Sequence, residues 1–453
     1  MNHTTLESQQ RAVRHVDGRL NHAQRDKRLL HLQQMVDTNE LGINDVAGGG
    51  EVNNHVHTIF SFSPYSPACA AFMARYAGLQ AVGSVDHDSI GAANEMNEAG
   101  RILGIGTTAG YELRVHFSAT ALEGRKLNNP DSANIGYMVI HGVPQPAVDA
   151  VADFLEPIQR ARNERNRRQV ARLNQLLQRA GIESIDFDTE VLAISQAASG
   201  GAVTERHILF ALAQRILGQA ARQRAVTGYL RQTFAIDVPD RLSSLIDDSA
   251  NPHRSYDLLG ILKSAFLPQF FVQPDHRECI GVAGAVEFAR SIGAIPCYAY
   301  LGDVGESPTG DKKAEKFEDE YLDVLFPEIR RLGFLGVTYM PPRNTREQLL
   351  RIRQLCQQYG FMEISGVDIN SSRQLFTCPE IMQPEFRHLI DNTWALIAHE
   401  KLASADAGYG LFDPRNRWAG ETLQQRLSRY SRFGAQMDCS HPHTIIDIAR
   451  KER

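Results

Sequence analysis

No stretch of this chain strings together the roughly 18 to 20 uncharged apolar residues that a membrane-spanning helix needs. The opening residues, MNHTTLESQQRAVRHVDGRL, lack an apolar signal core, so the cytoplasm is the expected location. There is no basic excess either: 48 Lys and Arg face 53 Asp and Glu, a formal net charge of -5. That balance argues against a dedicated nucleic-acid surface and leaves a small anionic substrate, held by local charge, as the open class of partner. The six cysteines, at 69, 279, 297, 356, 378 and 439, form no CxxC pair. The chain is also too long to depend on disulfide staples, which predicts reduced thiols. Cys297, in AIPCYAYL, is the one nearest a candidate pocket, with packing as its expected role. Finally, no GxGxxG follows the first strand, which disfavours an open dinucleotide-binding sheet.

What is present is β/α alternation. Residues 1–48 are polar with helical spacing and end in Gly48, Gly49 and Gly50, so they read as a helical N-terminal extension. From there short apolar runs recur, each closing on a polar residue: EVNNHVH, LQAVGSVDH, GIGTTAGYEL, IGYMVIH, AIPCYAYLGD, FLGVTYMPP and FMEISGVDIN. Amphipathic segments such as SPACAAFMARYAG and TREQLLRIRQLCQQYG lie between them. The pattern predicts an α/β fold, a TIM-like (β/α)7 barrel over 49–400, with polar residues gathered at the strand ends. A mostly helical insertion at about 215–290 is expected to cap the barrel mouth, and 401–453 reads as a polar C-terminal extension. The arginines at 160, 162, 165, 167, 168, 172 and 179 predict a charged helix, with a solvated face as its first reading and a phosphate surface as its second.

The strand ends carry the chemistry. His55 and His57 are two residues apart on one strand, so both imidazoles face the same side and reach one cation. Asp86, His87 and Asp88 close the second run, and Glu112 ends the third. His141 ends YMVIH, His207 opens an apolar helix, and Asp368 with Asn370 closes the last run. Singly, each has an ordinary structural role available, such as a hydrogen-bonded core histidine or a helix cap. Together, on a fold that collects strand ends at one rim, they suit a metal centre.

These motifs, in the order HVHTIFSFSPYSP, SVDHDSIGAANEM, GYELRV, VIHGV, AVTERHILFAL and SGVDINSS, resemble the PHP (polymerase and histidinol phosphatase) family of metal-dependent phosphoesterases. The likeness covers about residues 50–215 and 290–375. It implies a distorted seven-stranded barrel with two divalent ions, Zn, Mn or Fe, and a weaker third. By that resemblance His55, His57, Glu112 and Asp368 hold the first ion. Glu112 bridges to a second, held also by His141 and His207, and His87 belongs to the third, with Asp86 orienting it. Ser63 and Asn370 stand where the family places third-site histidines, so that site is expected to be weak or oxygen-rich. Tyr300 replaces the histidine of an Ala-His-Pro segment, leaving substrate contact or packing as its role.

The activity implied is hydrolysis of a small phosphorylated metabolite or nucleotide by a metal-bridging hydroxide, with His87 or a water on the weak third ion protonating the leaving oxygen. Arg206 and Arg343 are the expected phosphate contacts, ahead of Lys312 and Lys313. Two rivals remain at this stage. One is a metal-dependent amidohydrolase, which the early Asp86-His87 pair disfavours. The other is a non-catalytic or regulatory metal-binding module. The oligomeric state is not legible.

Overall fold

In the computed structural model the described residues are 5–129, 132–220, 225–303 and 318–452. Each apolar run becomes a strand: β1 Val52–Val56, β2 Ala81–His87, β3 Gly106–His116, β4 Ile135–His141, β6 Ile295–Tyr300, β7 Gly336–Tyr339 and β8 Met362–Ser365, with a two-residue β5 at Ile280–Gly281. The sheet order is β1-β2-β3-β4-β6-β7-β8, and β5 pairs with β3. Past β8 the chain returns to the first strand. A parallel bridge joins Val56 to Ile369, and His57 N–H donates to Ile369 O at 2.9 Å while Ile369 N–H donates to His55 O at 3.1 Å. The result is a nearly closed α/β barrel of seven mostly parallel strands. Its strands are buried on both faces, which is why they read as apolar runs rather than alternating ones.

One strand departs from the parallel expectation. β4 is antiparallel to both β3 and β6. The link from β3 is a turn-rich excursion pinned by a Lys126–Ala133 bridge, not a crossover helix, so the chain comes back the way it went.

The helices begin and end where local chemistry dictates. Pro67–Tyr76 starts at Ser66, whose hydroxyl accepts from Cys69 N–H, with Pro67 at its first turn. Arg346–Tyr359 opens with a Thr345/Gln348 capping box and stops at Gly360, φ +68°.

Three apolar clusters organise the described residues. The first fills the barrel and its outer helices. The second lies in the helical cap, from Val170 to Phe270, and includes Phe62 from the loop after β1. The long helix Val148–Arg179 contributes to both, through Val151, Leu155 and Ile158 to the barrel and Val170, Leu173 and Leu177 to the cap. The third joins the N-terminal helices Leu6–Leu20 and Arg25–Asp37 to the barrel flank, where buried Arg28 makes a bidentate pair with Glu95.

The stretch after 400 reads polar, yet Trp418, Tyr430, Phe433 and Ile445 are buried in the first cluster. Its helix Leu423–Gln436 carries the amphipathic spacing that hides such a face among charged residues. Gly434 permits the approach to the preceding helix, since a Cβ there would lie 2.2 Å from Trp394 O. No helix among the described residues is long and apolar enough to cross a membrane.

Candidate metal centre

The barrel rim brings five of the sequence-nominated residues together. Donor atoms of His55, His57 and Asp368 lie within 4.8 Å of one another, and so do those of His57, His87 and Glu112. The His57 ring sits 5.3 Å from His55 and 4.5 Å from His87, centre to centre. His57 Nε2 is 3.5 Å from Asp368 Oδ1, and His87 Nδ1 is 2.7 Å from Glu112 Oε2.

Local structure explains the convergence. β2 and β3 are in register, so His87 pairs directly with Glu112. Asn53 clamps the segment carrying Asp368 to β1: its Oδ1 accepts from Val367 N–H at 2.9 Å and from His55 N–H at 2.9 Å, and its Nδ2 donates to Val367 O at 3.0 Å. Gly366 makes the approach possible, because a Cβ there would fall 2.6 Å from the backbone nitrogen and Cβ of His55.

Protonation suits cation binding. Burial, and then the neighbouring His87, push the His57 imidazolium down to about 3, so the ring is neutral. Burial opposes ionisation of Glu112, but the charge and hydrogen bond of His87, with His55 and His57, outweigh it and hold the carboxyl at about 2. Asp368 is held at about 2 in the same way: His57, His55 and Arg206 overcome its burial.

Asp86 directs its hydrogen bonds to the turn after β1. It is buried and accepts from Thr58 N–H at 2.6 Å, Thr58 Oγ1 at 2.7 Å and Ser61 Oγ at 2.6 Å. Ser61 Oγ is also 3.2 Å from His57 Nδ1. Because the Ser61 proton goes to Asp86, the serine oxygen accepts from His57 Nδ1–H, which leaves the Nε2 lone pair facing the cluster. Thr58 and Ser61 were overlooked in the sequence, although both hydroxyls stand in the HTIFS turn beside the histidines.

Two predicted ligands stay outside the clusters. On antiparallel β4, Val139 pairs with Glu112 and His141, paired with Ile295 of β6, lies two residues on along the same face; burial first, and then His55, hold its imidazole down to about 3 against the pull of Glu112. His141 Nε2 lies 3.3 Å from Thr338 Oγ1. His207 Nδ1 accepts from Thr204 N–H at 3.0 Å, and its ring meets Phe62 edge to face at 4.9 Å.

Asn370 is committed to protein partners: its Nδ2 donates to Asp368 Oδ1 at 2.6 Å and its Oδ1 accepts from Arg206 Nη1 at 2.7 Å. Tyr300 is buried and donates to Asp319 Oδ1 at 2.5 Å. Arg343 is half-buried on the turn after β7. Ser63 is buried, and its hydroxyl has no hydrogen-bond partner. Lys312 and Lys313 lie outside the described residues. His441 and His443 are exposed at the surface, as their lack of a strand suggested.

The arginine-rich helix is not simply a solvated face. Arg160 and Arg167 are exposed, paired with Glu156 and Asp188, but Arg162 and Arg165 are buried. Arg165 bonds Glu278 and Glu205, both at 2.5 Å, Arg162 pairs with Asp88, and Arg114 pairs with Glu278. Asp88 follows His87, Glu205 precedes Arg206, and Arg114 lies two residues past Glu112, so this ion network fastens the segments that carry the candidate donors to the cap. Its partners are far apart in sequence, which is why composition alone suggested only solvation.

No family model matches this chain, and no curated protein matches it. Among solved structures, the chain is similar to a provisionally assigned metal-dependent phosphoesterase from Bifidobacterium adolescentis, at 17% identity and a TM-score of 0.47, over 75% of this chain and 96% of that one. It is also similar to an amidohydrolase from Chromobacterium violaceum with bound sulfate and no metal, at 16% identity and a TM-score of 0.48, over 76% and 96% of the two chains.

Proposed function

We propose that this chain is a metal-dependent phosphoesterase acting on a small phosphorylated metabolite or nucleotide. The observation that supports it best is the meeting of five donors at the strand ends with a guanidinium one amide away: Arg206 reaches Asp368 through Asn370. Three imidazoles with two carboxylates suit Zn, Mn or Fe. The chemistry a divalent ion supplies at such a site is polarisation of a phosphoryl oxygen and acidification of water.

The protein's own groups do the rest. Asp86, through Ser61, fixes His57 in its ligating tautomer. Glu112 orients His87 by the Nδ1 contact, which leaves the other ring nitrogen of His87, the partly exposed imidazole of the cluster, to exchange a proton with the leaving oxygen. Arg206 is placed to hold a phosphoryl oxygen beside Asp368, using guanidinium nitrogens not spent on Asn370. The non-catalytic reading draws on one observation, the engagement of Asn370 and Tyr300 by protein partners.

The test is a panel of phosphomonoesters and phosphodiesters with metal-loaded wild type, His57→Ala, Asp368→Ala and Arg206→Ala. Turnover is expected to vanish on chelation and in the first two variants, and kcat/KM to fall at least about tenfold in the third, the loss of a charge-assisted contact. Full loading without turnover on any ester favours the non-catalytic module. Activity that survives both His57→Ala and Asp368→Ala removes this centre from the reaction.

A further inference from the structure

We infer that the chain carries a second binding site, at the end of the barrel opposite the candidate metal centre, for a small organic anion whose acidic head meets Arg75 and whose flat apolar body lies against Trp394. A cavity of about 370 Å³ opens there. Gly48, Gln80 and Ile105 line it, and they precede β1, β2 and β3, whereas the candidate metal donors stand toward the far ends of those strands. Arg75 reaches it from the last turn of helix Pro67–Tyr76, and Trp394, Ala435 and Cys439 close it from the C-terminal segment. Barrel enzymes gather their chemistry at the C-terminal strand ends, so this cavity is placed for a ligand other than the substrate.

The cavity favours negative charge. Among the described residues no acidic side chain lines it, and Arg75 is its one cation. The acids of helix Ala93–Leu103, which packs on the helix of Arg75, are spent elsewhere: Glu95 on Arg28 and Glu98 on Arg101. Burial alone pulls the Arg75 guanidinium below its usual value, and no carboxylate restores it. Arg426, also lowered by burial, at least feels Glu421. A half-buried guanidinium with unspent N–H donors gains most from an oxyanion that takes two of them side by side. The Cys439 thiol does not compete for it, because burial first, and then Asp438, hold that thiol up at about 11 and so neutral.

The remaining wall sets the shape. Leu79 and Ile105 are buried apolar residues, and Trp394 is half-buried with its ring over the start of β3, where a Cβ on Gly106 would lie 3.1 Å from Cζ3. An indole so held offers a rigid surface to a flat ring. The volume lies at the small end of ligand cavities, which suits an aryl carboxylate or aryl phosphate and excludes a polymer.

The experiment is a titration of the full chain, chelated so that no ester turns over, with benzoate and with phenyl phosphate, which distinguish a carboxylate head from a phosphate one. Calorimetry gives the affinity, and emission in a Trp418→Phe background reports the site, since Trp394 is then the single tryptophan. At least one probe is expected to saturate with a matching change in Trp394 emission. Binding is expected to weaken at least about tenfold in Arg75→Gln. It should disappear in Ala435→Phe, an exposed helix position from which a ring fills the mouth without entering the core. Arg206→Ala, at the other end of the barrel, is expected to leave the emission titration unchanged. No saturable binding of either probe would overturn the inference, as would wild-type affinity in an Arg75→Gln or Ala435→Phe protein whose circular dichroism shows it folded. A signal lost in Arg206→Ala but kept in Arg75→Gln would move the anion to the metal centre and refute the second site. Inorganic phosphate binding as tightly as both aryl probes would refute the part assigned to Trp394.

Discussion

Replacing Asp86 separates two roles that this residue combines. Its carboxylate accepts three hydrogen bonds, Thr58 N–H and Ser61 Oγ on Oδ1 and Thr58 Oγ1 on Oδ2, in a site almost closed to water. Bonds to a charged acceptor contribute about 1.5–3 kcal/mol each, and a buried N–H left unpaired costs about 1–3 kcal/mol. Asp86→Ala strands the Thr58 N–H and opens a small void, so a loss of about 3–5 kcal/mol is expected. Asp86→Asn keeps an oxygen at the Oδ1 position for two of the donors, and its amide can donate to the Thr58 hydroxyl. Only the charge is lost, at a cost of about 1–2 kcal/mol.

The two variants also diverge in metal binding. With alanine the Ser61 proton is freed to point at His57 Nδ1, which moves the ring proton to Nε2 and removes the ligand lone pair. With asparagine the Ser61 proton keeps its acceptor and the tautomer stays. Metal affinity is therefore expected to fall by about 10- to 100-fold in Asp86→Ala and to stay near wild type in Asp86→Asn. Urea unfolding of chelated protein gives the stability difference without contribution from bound metal, and calorimetric titration gives the affinity. Equal metal affinities in the two variants, both close to wild type, would refute the relay from Asp86 to His57.

The remaining predictions concern the surroundings. Gly366→Ala drives a methyl group against the backbone of His55, so a destabilisation of about 1–3 kcal/mol and weaker metal binding are expected, read by denaturation and titration; a neutral outcome would contradict the close approach. Burial pushes His57, His141 and His207 from 6.5 down to about 3. The unfolded chain therefore binds more protons than the folded one between those values, so stability is full above about pH 6.5 and falls as pH drops toward 3, by up to about 1.4 kcal/mol per unit for each ring. Urea midpoints of the chelated protein across pH 4–7 should show this decline, with a shallower slope in His207→Gln; an unchanged slope would exclude His207 as a contributor. Arg165→Met leaves Glu205 and Glu278 short of a buried cation and is expected to cost about 3–5 kcal/mol by denaturation, whereas a cost under about 1 kcal/mol would make the network incidental.

How legible the molecule was depends on whether a feature is local. The strands were readable because burial on both faces writes an uninterrupted apolar run, and the histidine pair because a two-residue spacing fixes which face a side chain takes. The same locality exposed Glu112 and Asp368, each a carboxylate closing an apolar run. The direction of β4 was not readable, since the run IGYMVIH reads alike for a strand traversed either way, and only the turn-rich link before it carries the reversal. That direction sets which residue of β4 stands directly across from Glu112, namely Val139, with His141 two residues on along the same face. The setting of His207 was hidden for a related reason: the backbone donor at its Nδ1 comes from a helix start whose geometry the composition does not specify. The buried arginines show the reverse case, in which a charged stretch has an obvious local reading as solvated surface. The acids that draw Arg162 and Arg165 inward, Asp88 and Glu278, lie far from them in sequence. Where a side chain's facing depends on its own strand, the sequence suffices; where it depends on which neighbour lies across the sheet, the register has to be seen.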